Sequence, residues 1–143
     1  LMPLENSLRV AAMLAETSSA DIATLMEPLD RAVAHEPSIV KVVASETGRA
    51  LYFSRAAIPA HAAGREVAPL FRHVGLYAYR AGFLRQFVTW PPAPLELSES
   101  LEQLRALAHD VHIQIELAPK PVPAGVDTEA DLEAVRAHMA SGG

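Results

Sequence analysis

Apolar residues recur at helical spacing from the start of the chain. Leu4, Leu8, Ala11, Ala12 and Leu14 follow Pro3, and the pattern stops before the polar turn Thr17-Ser18-Ser19. This predicts a helix and then a loop. Ile22 to Met26 and Ile39 to Val43 are short runs rich in apolar and β-branched residues, separated by a stretch containing Pro28 and Pro37. Ala50 to Phe53 follows the turn Glu46-Thr47-Gly48. These runs predict strands, the last two forming a hairpin. Arg55 to Pro69 holds prolines, Gly64 and small residues without period, the signature of a loop. Phe71 to Tyr79 resumes as a strand, and Gly82 to Val88 predicts a short helix ending near Trp90-Pro91-Pro92. Leu95 to Ala108 carries the clearest helical pattern. Leu97, Leu101, Leu104 and Ala108 fall on one stripe, with Glu99, Glu102, Gln103 and Ala106 on the other side. Leu95 and Leu107 lie off that stripe, which predicts a helix covered on more than one side. Val111 to Leu117 alternates as a strand with Ile113 and Ile115 on one side. Gly125-Val126-Asp127 turns into a last helix, where Thr128 and Asp131 resemble a capping box and Leu132, Val135 and Met139 make a buried stripe. Strands mixed with helices predict an α/β fold, with the strand order open.

Composition narrows the function classes. The chain has 143 residues, 50% hydrophobic and 20% charged, enough for one core of ordinary size. A net charge of -5 creates no field that would gather nucleic acid or an anionic membrane surface, so neither is expected as a partner. Without cysteine there is no disulfide framework, thiolate nucleophile or thiolate-bound zinc. No apolar run reaches the roughly 20 residues that span a bilayer, and no signal-peptide pattern opens the chain, so a soluble, cytoplasmic protein is expected. Leu1-Met2-Pro3-Leu4 enters a helical pattern without a capping region, the expectation for a chain that starts inside a fold.

The densest chemistry lies in Phe71-Arg72-His73-Val74-Gly75-Leu76-Tyr77-Ala78-Tyr79-Arg80. Period-2 alternation sets His73, Gly75, Tyr77 and Tyr79 on one face and Arg72, Val74, Leu76 and Ala78 on the other. Gly75 leaves a gap between hydrogen-bonding side chains in which a polyol could lie. An ordinary core holding internally paired His and Tyr fits the same pattern. Arg55, at the end of a strand, could grip a carboxylate with its planar fork of donors or simply face solvent. Glu102 and Gln103 form a polar edge of a kind that is usually solvated. Asp127 precedes a helix, where an aspartate often caps, and a lone carboxylate is weak evidence for metal.

Taken in order, Leu51-Tyr52-Phe53-Ser54-Arg55-Ala56-Ala57-Ile58-Pro59, Arg72 through Arg80, Trp90 through Glu96, Leu101-Glu102-Gln103-Leu104-Arg105 and Gly125-Val126-Asp127-Thr128 resemble the 3-deoxy-D-manno-octulosonate (Kdo) cytidylyltransferases. The resemblance runs from about Leu1 to Met139. It implies a Rossmann-like α/β fold of the sugar-nucleotidyltransferase kind, here its C-terminal part, with a mixed sheet flanked by helices. It also implies nucleotidyl transfer in which Kdo attacks the α-phosphate of CTP with magnesium, giving CMP-Kdo and pyrophosphate for lipopolysaccharide synthesis. By motif, Arg55 should bind the sugar-acid carboxylate, His73, Tyr77, Glu102 and Gln103 should contact its hydroxyls, and Asp127 should be a magnesium ligand. No residue is assigned a catalytic role. The family works as a cytoplasmic homodimer, so residues 1–143 are expected to form its sugar-acid-binding and dimerising part.

The chain departs from that pattern in two places. The family's opening phosphate loop with Arg and Lys, and its Gln-Gly-Asp-Glu-Pro run, are absent, so this piece alone is expected to be inactive. After Ile58-Pro59, Ala60 and His61 stand where the family places an aromatic and a basic residue. Two other readings fit the same residues: a cytidylyltransferase for another acidic sugar, such as sialic acid or amino-Kdo, and a non-catalytic binding or dimerising module.

Overall fold

A computed structural model of the chain describes residues 2–123 and 129–140. The elements are α1 (Leu4–Glu16), β1 (Ile22–Leu29), β2 (Lys41–Ala44), β3 (Ala50–Ser54), β4 (Leu70–Tyr79), α2 (Ala81–Phe87), α3 (Pro94–Glu99), α4 (Gln103–Ala108), β5 (Ile113–Leu117) and α5 (Glu129–Ala140). The five strands form one sheet in the order β3-β2-β4-β1-β5. Neighbours run antiparallel except β1 and β5, which are parallel. The predicted α/β class, the mixed sheet and the β2–β3 hairpin are all present.

Each face of the sheet covers a separate apolar cluster. On one side α1 packs Val10, Met13 and Leu14 against Ala23, Leu25 and Val74, with Leu76 and Ala78 beside them. Leu4 and Leu8, though in helical period, lie on the exposed side of α1. On the other side Phe83 and Phe87 of α2, with Leu101, Leu104 and Ala106, cover Ile22, Val42, Phe53, Ile113 and Ile115. The first half of β1, Ile22 to Leu25, is therefore buried on both faces, which is why it reads as a nearly unbroken apolar run. Arg80 closes the C-terminal end of α1, its guanidinium donating to the carbonyls of Leu14 at 2.6 Å, Thr17 at 3.0 Å and Ala20 at 2.6 Å. A cation at that end also complements the helix dipole.

The single helix expected over Leu95–Ala108 is two short helices. Ser100 adopts the left-handed conformation, φ 53° and ψ 49°, which ends α3. Buried electrostatics then fold α4 back onto α3: Arg105 donates to both carboxylate oxygens of Glu96, at 2.8 and 2.5 Å, and Glu96 also accepts from the Ala93 N–H at 3.0 Å. The Arg105 guanidinium lies 5.1 Å over the Phe87 ring. The break rotates the pattern. Leu97 of the expected stripe is 68% exposed, while Ala106 and Gln103 from its expected far side are buried. Periodicity missed the break because serine is a poor marker of left-handed backbone compared with glycine. The turn and cap expected at Gly125–Thr128 lie outside the described residues, as does Asp127. The helix expected after them exists, but Met139 is exposed on it and not buried.

The hairpin turn reaches across to the opposite edge of the sheet. Ile115 of β5 donates its N–H to the Gly48 carbonyl at 2.7 Å, and the Gln114 amide donates to the Thr47 carbonyl at 3.1 Å. Gly48 has φ +80°, and a Cβ there would meet Gln114 Nε2 at 2.6 Å and the Ile115 carbonyl at 2.9 Å. Both the dihedral and the space require glycine. Gly48→Ala is expected to lower unfolding free energy by roughly 1–3 kcal/mol or more in urea titrations. An unchanged midpoint would show that the turn does not bear on β5.

Candidate functional site

The site is organised by an irregularity between β1 and β4. Thr24 faces Tyr77, yet the next residue, Leu25, faces Val74, so Gly75 and Leu76 have no opposite number on β1. Side chains alternate with period 2, and an insertion of two leaves that alternation intact where an insertion of one would invert it. His73 and Tyr77 consequently keep the same face, as the sequence predicts. Their rings lie 5.2 Å apart, Tyr77 and Tyr79 follow at 5.7 Å, and Phe53 of β3 meets the His73 edge at 5.0 Å. The row continues through Phe87 to Trp90, whose ring stacks on His109 at 4.0 Å.

Burial sets the protonation of this row. It lowers the His73 pKa to about 4, so the imidazole is neutral at neutral pH. Burial, then Tyr79 and Glu102, push the Tyr77 hydroxyl above its ordinary 10. Burial and Glu102 do the same for Tyr79. Both phenols therefore stay protonated and can donate. Glu102 is the carboxylate of this neighbourhood, exposed just before α4, with Arg105 3.9 Å away. Gln103 opens α4 and is buried. Among the described residues its amide makes no hydrogen bond. The site is thus a strand of aromatic donors beside the start of α4, suited to a polyhydroxylated ligand.

Arg55 occupies a different setting from the free fork expected of it. Its Nε donates to the Glu99 carbonyl at 2.8 Å, Nη1 to the Pro37 carbonyl at 2.9 Å and Nη2 to the Ser100 carbonyl at 3.3 Å. With Nε committed, one N–H remains on each terminal nitrogen, so a carboxylate could be met only end-on. Among the described residues Arg55 makes no hydrogen bond to His73 or Tyr77, and Phe53, two positions before it, reaches the His73 ring.

Three residues that sequence reasoning passed over hold this frame together. Glu99, which the pattern puts opposite the apolar stripe of its helix, accepts from Ser54 Oγ at 2.6 Å, the Arg55 N–H at 3.0 Å and Tyr52 Oη at 3.4 Å. Lys41 is fully buried. Its ammonium donates to the carbonyls of Glu36 at 2.9 Å, Ile39 at 2.5 Å and Arg55, and burial lowers its pKa. Thr24, also fully buried, bonds the β4 carbonyls and His73. Lys41 and Thr24 each interrupt an otherwise apolar strand run, a signal the sequence did carry.

The cytidylyltransferase family model matches residues 1–113. The 3-deoxy-manno-octulosonate cytidylyltransferase of Hahella chejuensis is 51% identical over 149 residues, covering 98% of this chain and 58% of the relative. The protein of the same name from Cellvibrio japonicus is 50% identical, covering 94% and 56%. A solved structure of CMP:2-keto-3-deoxy-manno-octonic acid synthetase complexed with CTP superposes with a TM-score of 0.84 at 40% identity, covering 93% of this chain and 54% of that one. The chain spans somewhat over half the length of the curated relatives it matches.

The Glu99 cluster has a pH signature. Hydrogen bonds from Ser54 and the Arg55 N–H hold the Glu99 carboxyl below its ordinary 4.5. Its contribution to stability is therefore complete above about 4.5 and fades as pH falls through the lower folded-state value. The stability gap between the parent and Glu99→Gln should be constant near neutral pH and shrink in acid, measured by urea unfolding across pH. A gap of the same size at every pH would show that the charged carboxylate is not the acceptor.

Proposed function

The chain belongs to the cytidylyltransferase family, and from that premise we propose that the protein carrying it transfers the cytidylyl group of CTP to Kdo, in the supply of activated sugar for lipopolysaccharide. The anomeric hydroxyl of the sugar attacks the α-phosphorus, the bond to the bridging oxygen of the β-phosphate breaks, and pyrophosphate leaves. Residues 1–143 supply the sugar-acid side of this reaction. The observation that carries the reading is the row of His73 and Tyr77, 5.2 Å apart on one face of β4 and neighbouring the start of α4. It presents a neutral imidazole and a protonated phenol to a ligand rich in hydroxyls.

In this reading Tyr77 donates to a sugar hydroxyl, Glu102 accepts from one, and the Gln103 amide can do either. Arg55 meets the sugar carboxylate end-on with its two remaining N–H groups. Positioning and charge neutralisation, more than covalent participation by the protein, lower the barrier to such a transfer. Among the described residues no three carboxylate or imidazole groups converge as a metal site. Magnesium would be held by Asp127 together with the nucleotide's phosphates, and it would supply polarisation of the phosphoryl oxygens when bound. A homodimer working in the cytoplasm belongs to the same proposal and rests on the family resemblance. No helix among the described residues is long and apolar enough to cross a membrane.

The test is turnover of the purified gene product with CTP, magnesium and, in separate arms, Kdo, its 8-amino form and sialic acid, following pyrophosphate release and the nucleotide sugar. Kdo should be the preferred acceptor. Tyr77→Phe, which removes one neutral hydrogen bond of about 1 kcal/mol, should raise KM for Kdo roughly 5-fold and leave KM for CTP unchanged. Equal losses for both substrates would remove Tyr77 from the sugar side, and preference for another acid would reassign the substrate.

A further inference from the structure

The Thr24 hydroxyl is surrounded by three possible partners and has one hydrogen to give. Its oxygen lies 2.8 Å from the Leu76 carbonyl, 3.1 Å from the Val74 carbonyl and 3.0 Å from His73 Nε2. Carbonyl oxygens only accept, so the short approach to Leu76 requires the hydroxyl hydrogen to lie on the carbonyl side, shared with Val74. If the hydrogen pointed at His73 instead, two carbonyl oxygens would crowd the hydroxyl oxygen with no proton between them. His73 Nε2 must then be the donor to Thr24. In a neutral imidazole one nitrogen carries the proton and the other accepts, so Nδ1 is left as the acceptor.

Nothing within the described residues uses that acceptor. Among them the hydrogen bond of the His73 ring is the one between Nε2 and Thr24, and Nδ1 makes none. We propose that Thr24 is a positioning residue: its hydroxyl, fixed by the Val74 and Leu76 carbonyls at the two-residue insertion in β4, holds His73 as the Nε2–H tautomer and presents Nδ1 to accept a hydrogen bond from a hydroxyl of the ligand. The proton arrangement stands on the geometry, while its use toward the sugar rests on the function proposed above. The neutral state that burial imposes on His73 agrees with it. The consequence is selectivity: this position rewards a ligand group that donates, and a ligand lacking that hydroxyl leaves Nδ1 without a partner.

The experiment has two readouts. In protein labelled with nitrogen-15 in histidine, long-range proton–nitrogen correlation at neutral pH should give His73 the pattern of a protonated Nε2 and an unprotonated Nδ1. A protonated Nδ1 would overturn the proposal whatever the substrate is. In the second, the isosteric Thr24→Val should let His73 populate both tautomers and raise KM for Kdo roughly 10-fold with kcat largely kept. Thr24→Ser should restore both. An Nε2–H imidazole in the parent with KM unchanged in Thr24→Val would overturn the use of Nδ1 in sugar binding and leave the tautomer standing. Because the parent spectrum needs neither substrate nor a folded Thr24→Val, its outcome is separate from any failure of the cytidylyl-transfer reading.

Discussion

An even-numbered insertion is the constraint on which the molecule turns. β4 lies at the centre of the sheet and separates two apolar clusters, so each of its side chains must fall on one assigned side. Two unmatched residues, Gly75 and Leu76, interrupt its pairing with β1 without exchanging those sides. Val74, Leu76 and Ala78 stay against α1, and His73, Tyr77 and Tyr79 stay opposite. The carbonyls gathered at the interruption would go poorly satisfied in a buried sheet, and the Thr24 hydroxyl meets them. A local defect in the ladder thus becomes the means by which an ionisable side chain is oriented.

A second theme is the pairing of cations with backbone carbonyls where carboxylates would be the common choice. Lys41 takes those of Glu36, Ile39 and Arg55, Arg55 takes those of Pro37, Glu99 and Ser100, and Arg80 takes those at the end of α1. Each set closes irregular backbone that no ladder or helix satisfies. Charge-assisted bonds to several carbonyls offset the loss of hydration of a buried ammonium better than one weakly placed acid would. Lys41 and Arg55 are linked, since the Arg55 carbonyl is one of the acceptors of Lys41. The exit from β3 is thereby fixed by two side chains from different segments.

Most elements could be read from the chain because their patterns are local. Ile113 and Ile115 alternate onto the buried face, the turn at Gly48 sits between two β-rich runs, and the two faces of Phe71–Tyr79 are those expected. What escaped the sequence depended on partners distant along the chain. The break at Ser100 is stabilised by Arg105 with Glu96, a contact that exists only once α4 folds back. The role of Glu99 stayed hidden because its donors, Ser54 and Arg55, lie about 45 residues earlier. Arg55 looked free for the converse reason. The site was legible for His73 and Tyr77 as a face, and for Gln103 as a position but not as a buried one. Thr24 and Lys41, which bond His73 and the backbone at the exit of β3, were visible only as polar interruptions of apolar strands.

The contact of the hairpin turn with β5 joins the outermost strands of the sheet. β3 and β5 are at opposite ends of the strand order, and in an open sheet each would fray independently. Here the Ile115 N–H to Gly48 carbonyl bond ties the turn that begins β3 to the free side of β5. Detaching either strand removes a backbone partner from the other, so the two margins open together as one cooperative unit. The same bond occupies a donor that an exposed β5 would otherwise offer to a foreign strand, and so withdraws part of that margin from intermolecular pairing.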